Sequence, residues 1–264
     1  MRFHLEGYAC DLIIRDPSQL IVTFDFMQGP QAAPARDRVG WGHLFLEKLN
    51  LSALHVKPDI NCWYRKPGVA RFLETAQHAG LFSAFSLVMT YGGSMGGFAA
   101  MSFAEVTQAR RCLVLNPQSS LGPSTQSWDK RFPEAWAQNW GGPYCDLAAR
   151  TKNLERLVAV YDPYMTADRA QADGITHPRL SRLHLPFVGH SIGSHLQSMG
   201  ALYAVFQQCL TGDIDTQDFY RRARQRRRLK RYKNIMTKRA VDRGCSQEKI
   251  KRLDALLPKP SIGT

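Results

Sequence analysis

Short apolar runs rich in β-branched residues alternate with stretches of helical spacing along most of this chain. Cys10 to Arg15 (CDLIIR) reads as a first, edge strand, and Gln19 to Phe26 (QLIVTFDF) as a stronger one. Leu54 to Lys57 is a short strand. Gly68 to His78 places Val69, Phe72, Leu73 and Ala76 at helical intervals. Phe85 to Tyr91 predicts a buried central strand, with a helix over Gly96 to Ala109. Arg111 to Leu115, Leu154 to Tyr161 and Leu183 to Val188 predict three further strands, and Ile192 to Leu210 one long amphipathic helix. The loop from Met27 to Asp37, with Gly29, Pro30 and Pro34, is irregular. Residues 119–152, rich in Trp, Pro and Gly, read as an excursion over one end of the sheet. Strands alternating with helices imply an α/β fold, a mainly parallel sheet covered on both faces.

Composition supports one such body: 264 residues with 44% hydrophobic content suffice for a full core. No apolar run reaches 18 residues, so no transmembrane helix is expected. The opening MRFHLEGYACDLIIRD lacks the apolar stretch of a signal peptide. A cytoplasmic protein is expected, peripheral to the membrane if recruited there. Cys10, Cys62, Cys112, Cys145, Cys209 and Cys245 form no CxxC pair and no metal-like spacing, so free thiols and no bound metal are expected.

Charge changes the picture at one end. The net +13 sits in residues 219–252, which hold 15 Lys and Arg against 2 Asp and Glu; the remainder carries 20 of each sign. The chain therefore divides into a neutral α/β body, residues 1–211, and a basic helical C-terminal extension, residues 212–264. Asp213 to Asp218 suit the start of one helix. Gln247 to Leu257 reads as a second, with Ile250, Leu253, Leu256 and Leu257 on one face. A solvated helical hairpin competes with docking of an anionic partner: membrane surface, charged polymer or nucleic acid. No sequence-reading motif accompanies the charge, which by itself gives affinity without specificity.

The chemistry concentrates at residues 85–100, FSLVMTYGGSMGGFAA. An apolar strand runs into Gly92-Gly93-Ser94-Met95-Gly96-Gly97, and a helical segment follows at once. This is the G-x-S-x-G arrangement in which a sharp strand-to-helix turn lifts a serine hydroxyl clear of a sheet. A phosphate-binding loop would need Gly-Lys-Ser/Thr, and no lysine occurs in 92–104. The Gly93–Gly96 spacing also breaks the dinucleotide pattern. A serine nucleophile needs a base, and the base an orienting carboxylate. Val158-Ala159-Val160-Tyr161 leads into Asp162, and Phe187-Val188-Gly189 into His190. Asp162 directly follows its strand and is the preferred acid. Asp168 is the alternative, with helix capping as its competing role, and Asp173 a distant third.

On these residues the chain resembles the α/β-hydrolase superfamily, over about residues 18–210. The resemblance implies Ser94 as nucleophile, His190 as general base and then general acid, and an Asp that stabilises its imidazolium, with no cofactor and no metal. It places the oxyanion hole at the amide of Met95 and at Asp25 or Phe26, although the His-Gly often found in that early loop is missing. Gln118, in the turn Asn116-Pro117-Gln118-Ser119, and the aromatic Trp63 and Tyr64 are expected to border substrate. Core or lid packing is the competing reading for Trp63, Tyr64 and the Gly40-Trp41-Gly42-His43 segment. More loosely, the elbow, the Asn-Pro-Gln-Ser turn and the Trp-Tyr segment are similar to hydrolase-like proteins of bacterial glycan pathways. The resemblance thus implies a serine esterase or acyltransferase acting on an acyl ester of a small molecule or glycan. The alternative is a non-catalytic hydrolase-fold binding or assembly protein whose basic extension docks an anionic partner.

Overall fold

The computed structural model describes residues 1–125 and 128–256. Eight strands form one sheet: β1 (Arg2–Leu5), β2 (Tyr8–Ile13), β3 (Gln19–Phe24), β4 (Ser52–Pro58), β5 (Leu87–Gly93), β6 (Arg111–Leu115), β7 (Arg156–Tyr161) and β8 (Leu180–His184). Their order is β1-β2-β4-β3-β5-β6-β7-β8. The first two are antiparallel to their neighbours, and from β4 across to β8 every pairing is parallel. Helices α1 (His43–Lys48), α2 (Pro67–His78), α3 (Met95–Ser102), α4 (Pro133–Trp136), α5 (Leu147–Thr151) and α6 (Thr166–Asp173) connect them. Helices α7 (Ile192–Ser198), α8 (Leu202–Thr211), α9 (Thr216–Ala223), α10 (Lys230–Asp242) and α11 (Gln247–Leu256) follow β8.

Two cores result from the period-two alternation of the strands. Leu20, Val22 and Phe24 of β3, Cys112 and Val114 of β6, and Leu157 and Ala159 of β7 face one core with α2 and α3. Ile21, Leu113, Leu115, Val158 and Val160 face the other, with α1, α7, α8 and α9. Parallel strands buried on both faces read as continuous apolar runs, as β3 and β5 to β7 do.

Several boundaries differ from the sequence reading: the helix expected over Gly96–Ala109 ends at Ser102. The expected edge strand at Cys10 is the second arm of a hairpin that begins at Arg2. The last strand ends at His184, not Val188, because Pro186 and the positive φ of Phe187 (64°) and Gly189 (80°) turn the chain away from the ladder. The long helix expected over 192–210 is two helices, broken at Gly200 (φ 66°).

The basic extension packs onto the body. Phe219 and Ala223 of α9 are buried within the second core. Tyr232 of α10 is buried and stands edge-on to Phe187, and the Arg239 guanidinium lies 4.9 Å from the Phe187 ring centre and 5.3 Å from that of Tyr164. Leu257 and the side chains of Leu253 and Leu256, expected on an apolar face, lie outside the described residues. Among the described residues, no helix is long and apolar enough to cross a membrane.

Candidate active site

The turn after β5 is built by what its glycines lack. A Cβ on Gly92 would overlap the carbonyl of Gly96, and one on Gly96 would overlap the carbonyls of Phe24 and Asp25. With both side chains absent, α3 starts directly against β3 and β5, and Ser94 takes φ 54°, ψ −119°. That strained conformation, rare for a non-glycine residue, sets the hydroxyl at the carboxyl end of the sheet.

His190 reaches the serine from the loop after β8. Its Nε2 lies 3.1 Å from Ser94 Oγ, and its Nδ1 lies 2.8 and 2.9 Å from the two carboxylate oxygens of Asp168. With Nδ1–H donating to Asp168, Nε2 is left to accept from the serine hydroxyl. This corrects the preferred acid: Asp168, in the first turn of α6, stands beside His190, and Asp162 does not. Asp162 instead accepts the amides of Val188 and Gly189, each at 2.8 Å, and that of Tyr164 at 2.9 Å. It holds the loop that carries the histidine. Direct succession to a strand favoured Asp162 in the sequence, but its oxygens are used by this backbone.

Three further side chains complete the arrangement; nothing in the sequence singles out Arg131 and Asp129, and Asn116 lies in the turn expected to border the site, where Gln118 is the residue the sequence names. Arg131 Nη1 lies 2.5 Å from Asp168 Oδ1, while its Nε and Nη2 bond to Asp129 at 2.7 and 2.8 Å. Asp129 is fully buried and also accepts from Gln171 at 3.0 Å. Burial pushes the Asp129 carboxyl up, but hydrogen bonds from Arg131 and Gln171 outweigh it and hold the group below the ordinary carboxylate range. Burial likewise opposes the charge on Arg131, and bonds to Asp129 and Asp168 reverse the sign. The third is Asn116, at the end of β6 with φ 38°; its Nδ2 lies 2.9 Å from His190 Nε2 and shares that nitrogen with Ser94. Its signal in the sequence was its place in a turn after the strand beside the elbow strand. Asp129 and Arg131 sit in the Trp- and Pro-rich excursion, where spacing says nothing about what they face.

Of the amides expected in an oxyanion hole, that of Asp25 donates to the Val56 carbonyl at 3.3 Å and is taken. The amides of Met95 and Phe26 donate to no acceptor among the described residues. The Asp25 carboxylate turns away, accepting from the Trp41 amide at 2.8 Å and from Arg38 at 3.1 Å. Burial raises its proton affinity despite these partners.

The expected substrate residues are in the core. Trp63 Nε1 donates to Gln118 Oε1 at 2.6 Å, both side chains being fully buried. The Tyr64 hydroxyl donates to the carbonyls of Asp25 (2.9 Å) and Val56 (3.2 Å). The polar atoms of Trp63 and Tyr64 find partners inside: Tyr64 braces the loop after β3 and Trp63 the turn after β6, while Gln118 Nε2 is buried without a hydrogen-bond partner among the described residues. The cleft beside Ser94, about 610 Å³, is lined instead by the 26–45 segment, by α7 and by Asn116, Phe132 and His190. Trp41 and Tyr91 pack together there with ring centres 4.3 Å apart. Among the described residues, no three His, Cys, Asp or Glu side chains are placed to hold a metal.

A serine at a strand–turn–helix elbow on β5, in a sheet ordered 1-2-4-3-5-6-7-8 with β1 and β2 as its antiparallel members, defines the α/β-hydrolase fold. No protein-family model matches the chain, and no curated protein sequence matches it. Solved structures share the fold. A chain of the Glycosylation Associate Protein (Gap123) complex from Streptococcus agalactiae aligns over 78% of this chain and 46% of its own length, at 12% identity and a TM-score of 0.53. The capsule O-acetyltransferase of Neisseria meningitidis serogroup A aligns over 69% of this chain and 85% of its own, at 12% identity and a TM-score of 0.49. Est1E from Butyrivibrio proteoclasticus aligns over 79% and 98%, at 14% identity and a TM-score of 0.49.

Proposed function

We propose that this chain is a serine-dependent esterase or acyltransferase. The supporting observation is the line from Ser94 Oγ through His190 to Asp168, at 3.1 and 2.8 Å, beside two unengaged amides. Ser94 Oγ attacks the ester carbonyl while His190 Nε2 takes the hydroxyl proton. The amides of Met95 and Phe26 receive the charge on the carbonyl oxygen. Asp168 stabilises the imidazolium, which then protonates the departing alcohol and leaves an acyl-enzyme. Water or a hydroxyl of a second substrate reverses the sequence, with His190 again as base. The ester is carried by a small molecule or a glycan.

The test is fluorophosphonate labelling of the purified chain beside Ser94→Ala and His190→Ala, with circular dichroism to show that all three fold. Labelling of the wild type alone is expected. An unlabelled, folded wild type sinks the reading.

A second reading, a binding protein that docks an anionic partner through residues 219–252, is favoured by one observation. Arg224, Arg227, Arg228, Lys230, Lys238 and Arg243 form no ion pair with any described residue. Salt-sensitive binding of a polyanion by a folded but unlabelled protein would select it.

A further inference from the structure

The cleft beside Ser94 differs in character from the rest of the site. Phe26, Trp41, Phe45, Tyr91, Ile192 and Leu202 contribute its walls, and no Lys, Arg, Asp or Glu is among the residues that line it. Besides the buried Tyr91 phenol, its titratable side chains among the described residues are two histidines, His43 and His190. The cations of this region lie elsewhere: Arg131 is held by Asp129 and Asp168, and Arg231 stands against Gly189, behind the histidine loop. At its mouth Phe26 (45% exposed), Val39 (66%) and Leu44 (66%) leave large apolar surface facing solvent. Isolated apolar residues on a surface are ordinary, but three bordering one cavity extend its character outward. The volume, about 610 Å³, is in the range of small-molecule sites. A methyl group would leave most of it to water against apolar walls. A charged group would lose hydration with no partner to replace it.

We propose that this cleft takes an uncharged alkyl or aryl group of the ester, larger than methyl. The inference rests on the esterase reading and names its substrate class. Each methylene buried there strengthens binding by about fourfold.

The glycine on α7 offers a variant aimed at this space. A Cβ on Gly193 would stand 3.4 Å from Leu115 Cδ1 and 4.0 Å from Trp41 Cζ2, so Gly193→Leu extends a side chain into the cleft at ordinary contact distance.

Two series test the proposal on the full chain. First, kcat/KM is measured for p-nitrophenyl acetate, butyrate and hexanoate, and for methyl, butyl and hexyl acetates followed by proton release. A rise of about tenfold or more from the shortest to the longest is expected in at least one series. The rise identifies whether the acyl or the alcohol side occupies the cleft. Where the acyl series rises, mono-p-nitrophenyl glutarate is expected to react about tenfold or more slowly than the valerate; where the alcohol series rises, 4-acetoxybutyrate is expected to react about tenfold or more slowly than butyl acetate. Flat or falling series in both, or equal rates within the matching pair, overturn the proposal. Second, calorimetry on Ser94→Ala compares butan-2-one with octan-2-one, uncharged ketones that need no catalysis. Octanone is expected to bind about tenfold or more tightly, with most of that gain lost in the Ser94→Ala/Gly193→Leu double variant. Equal affinities, or a gain untouched by the leucine, overturn it. The failures are separable: an unreactive Ser94 with a rising ketone series sinks the catalytic reading and keeps the apolar site, and a labelled Ser94 with flat series does the reverse.

Discussion

Arg131 and Asp168 meet in a 2.5 Å ion pair on the same carboxylate that accepts from His190 Nδ1. A carboxylate in this position stabilises the imidazolium that forms as serine loses its proton. Here a second cation draws on the same charge. Arg131 also fixes the direction of that carboxylate, so Arg131→Gln is expected to let Asp168 and the imidazole drift and to lower kcat/KM about tenfold or more. The groups around the imidazole are Asp168, Ser94 and Asn116, with Arg231 behind Gly189, and of these Arg131 touches Asp168 alone. The same change strips the buried Asp129 of its cation and costs about 3 kcal/mol of stability. Arg131→Gln/Asp129→Asn should recover much of that stability while keeping the lowered rate. A wild-type kcat/KM in the folded double variant would tell against the coupling.

The choice between the two aspartates is measurable. Asp168→Asn is expected to lower kcat about 10³–10⁴-fold, because the amide cannot stabilise the imidazolium and favours the wrong tautomer. Asp162→Asn retains an acceptor for the amides of Val188 and Gly189 and should cost about tenfold or less, together with about 1–2 kcal/mol of stability. Steady-state rates and urea unfolding of the two variants decide the matter. The reverse order of rate losses would restore Asp162 as the acid.

Gly96→Ala is expected to be more damaging than a helix alanine normally is. Its methyl group meets the carbonyls of Phe24 and Asp25, backbone that cannot rotate aside. About 3 kcal/mol or more of stability should go. Fluorophosphonate labelling should fall even in the folded fraction, since the displaced segment carries the Phe26 amide. A labelling rate equal to that of the wild type would show that β3 and α3 can separate at no cost to the site.

His55 predicts an acid-sensitive core. Its ring is fully buried on β4, with Nδ1 2.6 Å from Thr23 Oγ1 and Nε2 unpartnered. Burial, with His43 adding to it, pushes its pKa down from 6.5 to about 4. The unfolded chain therefore takes up this proton first as pH falls. The stability tied to the neutral ring is complete above about pH 6.5 and shrinks towards pH 4. At pH 4.5 the loss from this group is about 2.5 kcal/mol. Urea unfolding at pH 7.5 and 4.5 should show the wild type losing about that much more than His55→Gln. Equal losses would refute the assignment.

The sequence by itself determined the local chemistry. Apolar runs with turn residues between them specified seven of the eight strands, all but β1, since strands buried on both faces leave a continuous signal. The glycines flanking Ser94 specified the elbow, because only residues without a Cβ let a helix begin against the sheet. The chain order Ser94, Asp168, His190 was also readable, with Asp168 as the alternative acid. Tertiary structure alone decided which aspartate meets the histidine, because chain distance from a strand does not determine where a carboxylate points. Asp162 is consumed by two amides of a loop whose course depends on Pro186 and on the positive φ of Phe187 and Gly189. Six residues on, the first turn of α6 aims Asp168 at His190. Likewise, the Trp63 indole N–H, the Tyr64 hydroxyl and the Gln118 amide oxygen are suited equally to a substrate and to a buried hydrogen bond, and folding gave them the second. Arg131 and Asp129 came to the site through an excursion with no periodic pattern, where only three-dimensional closure brings charge to charge.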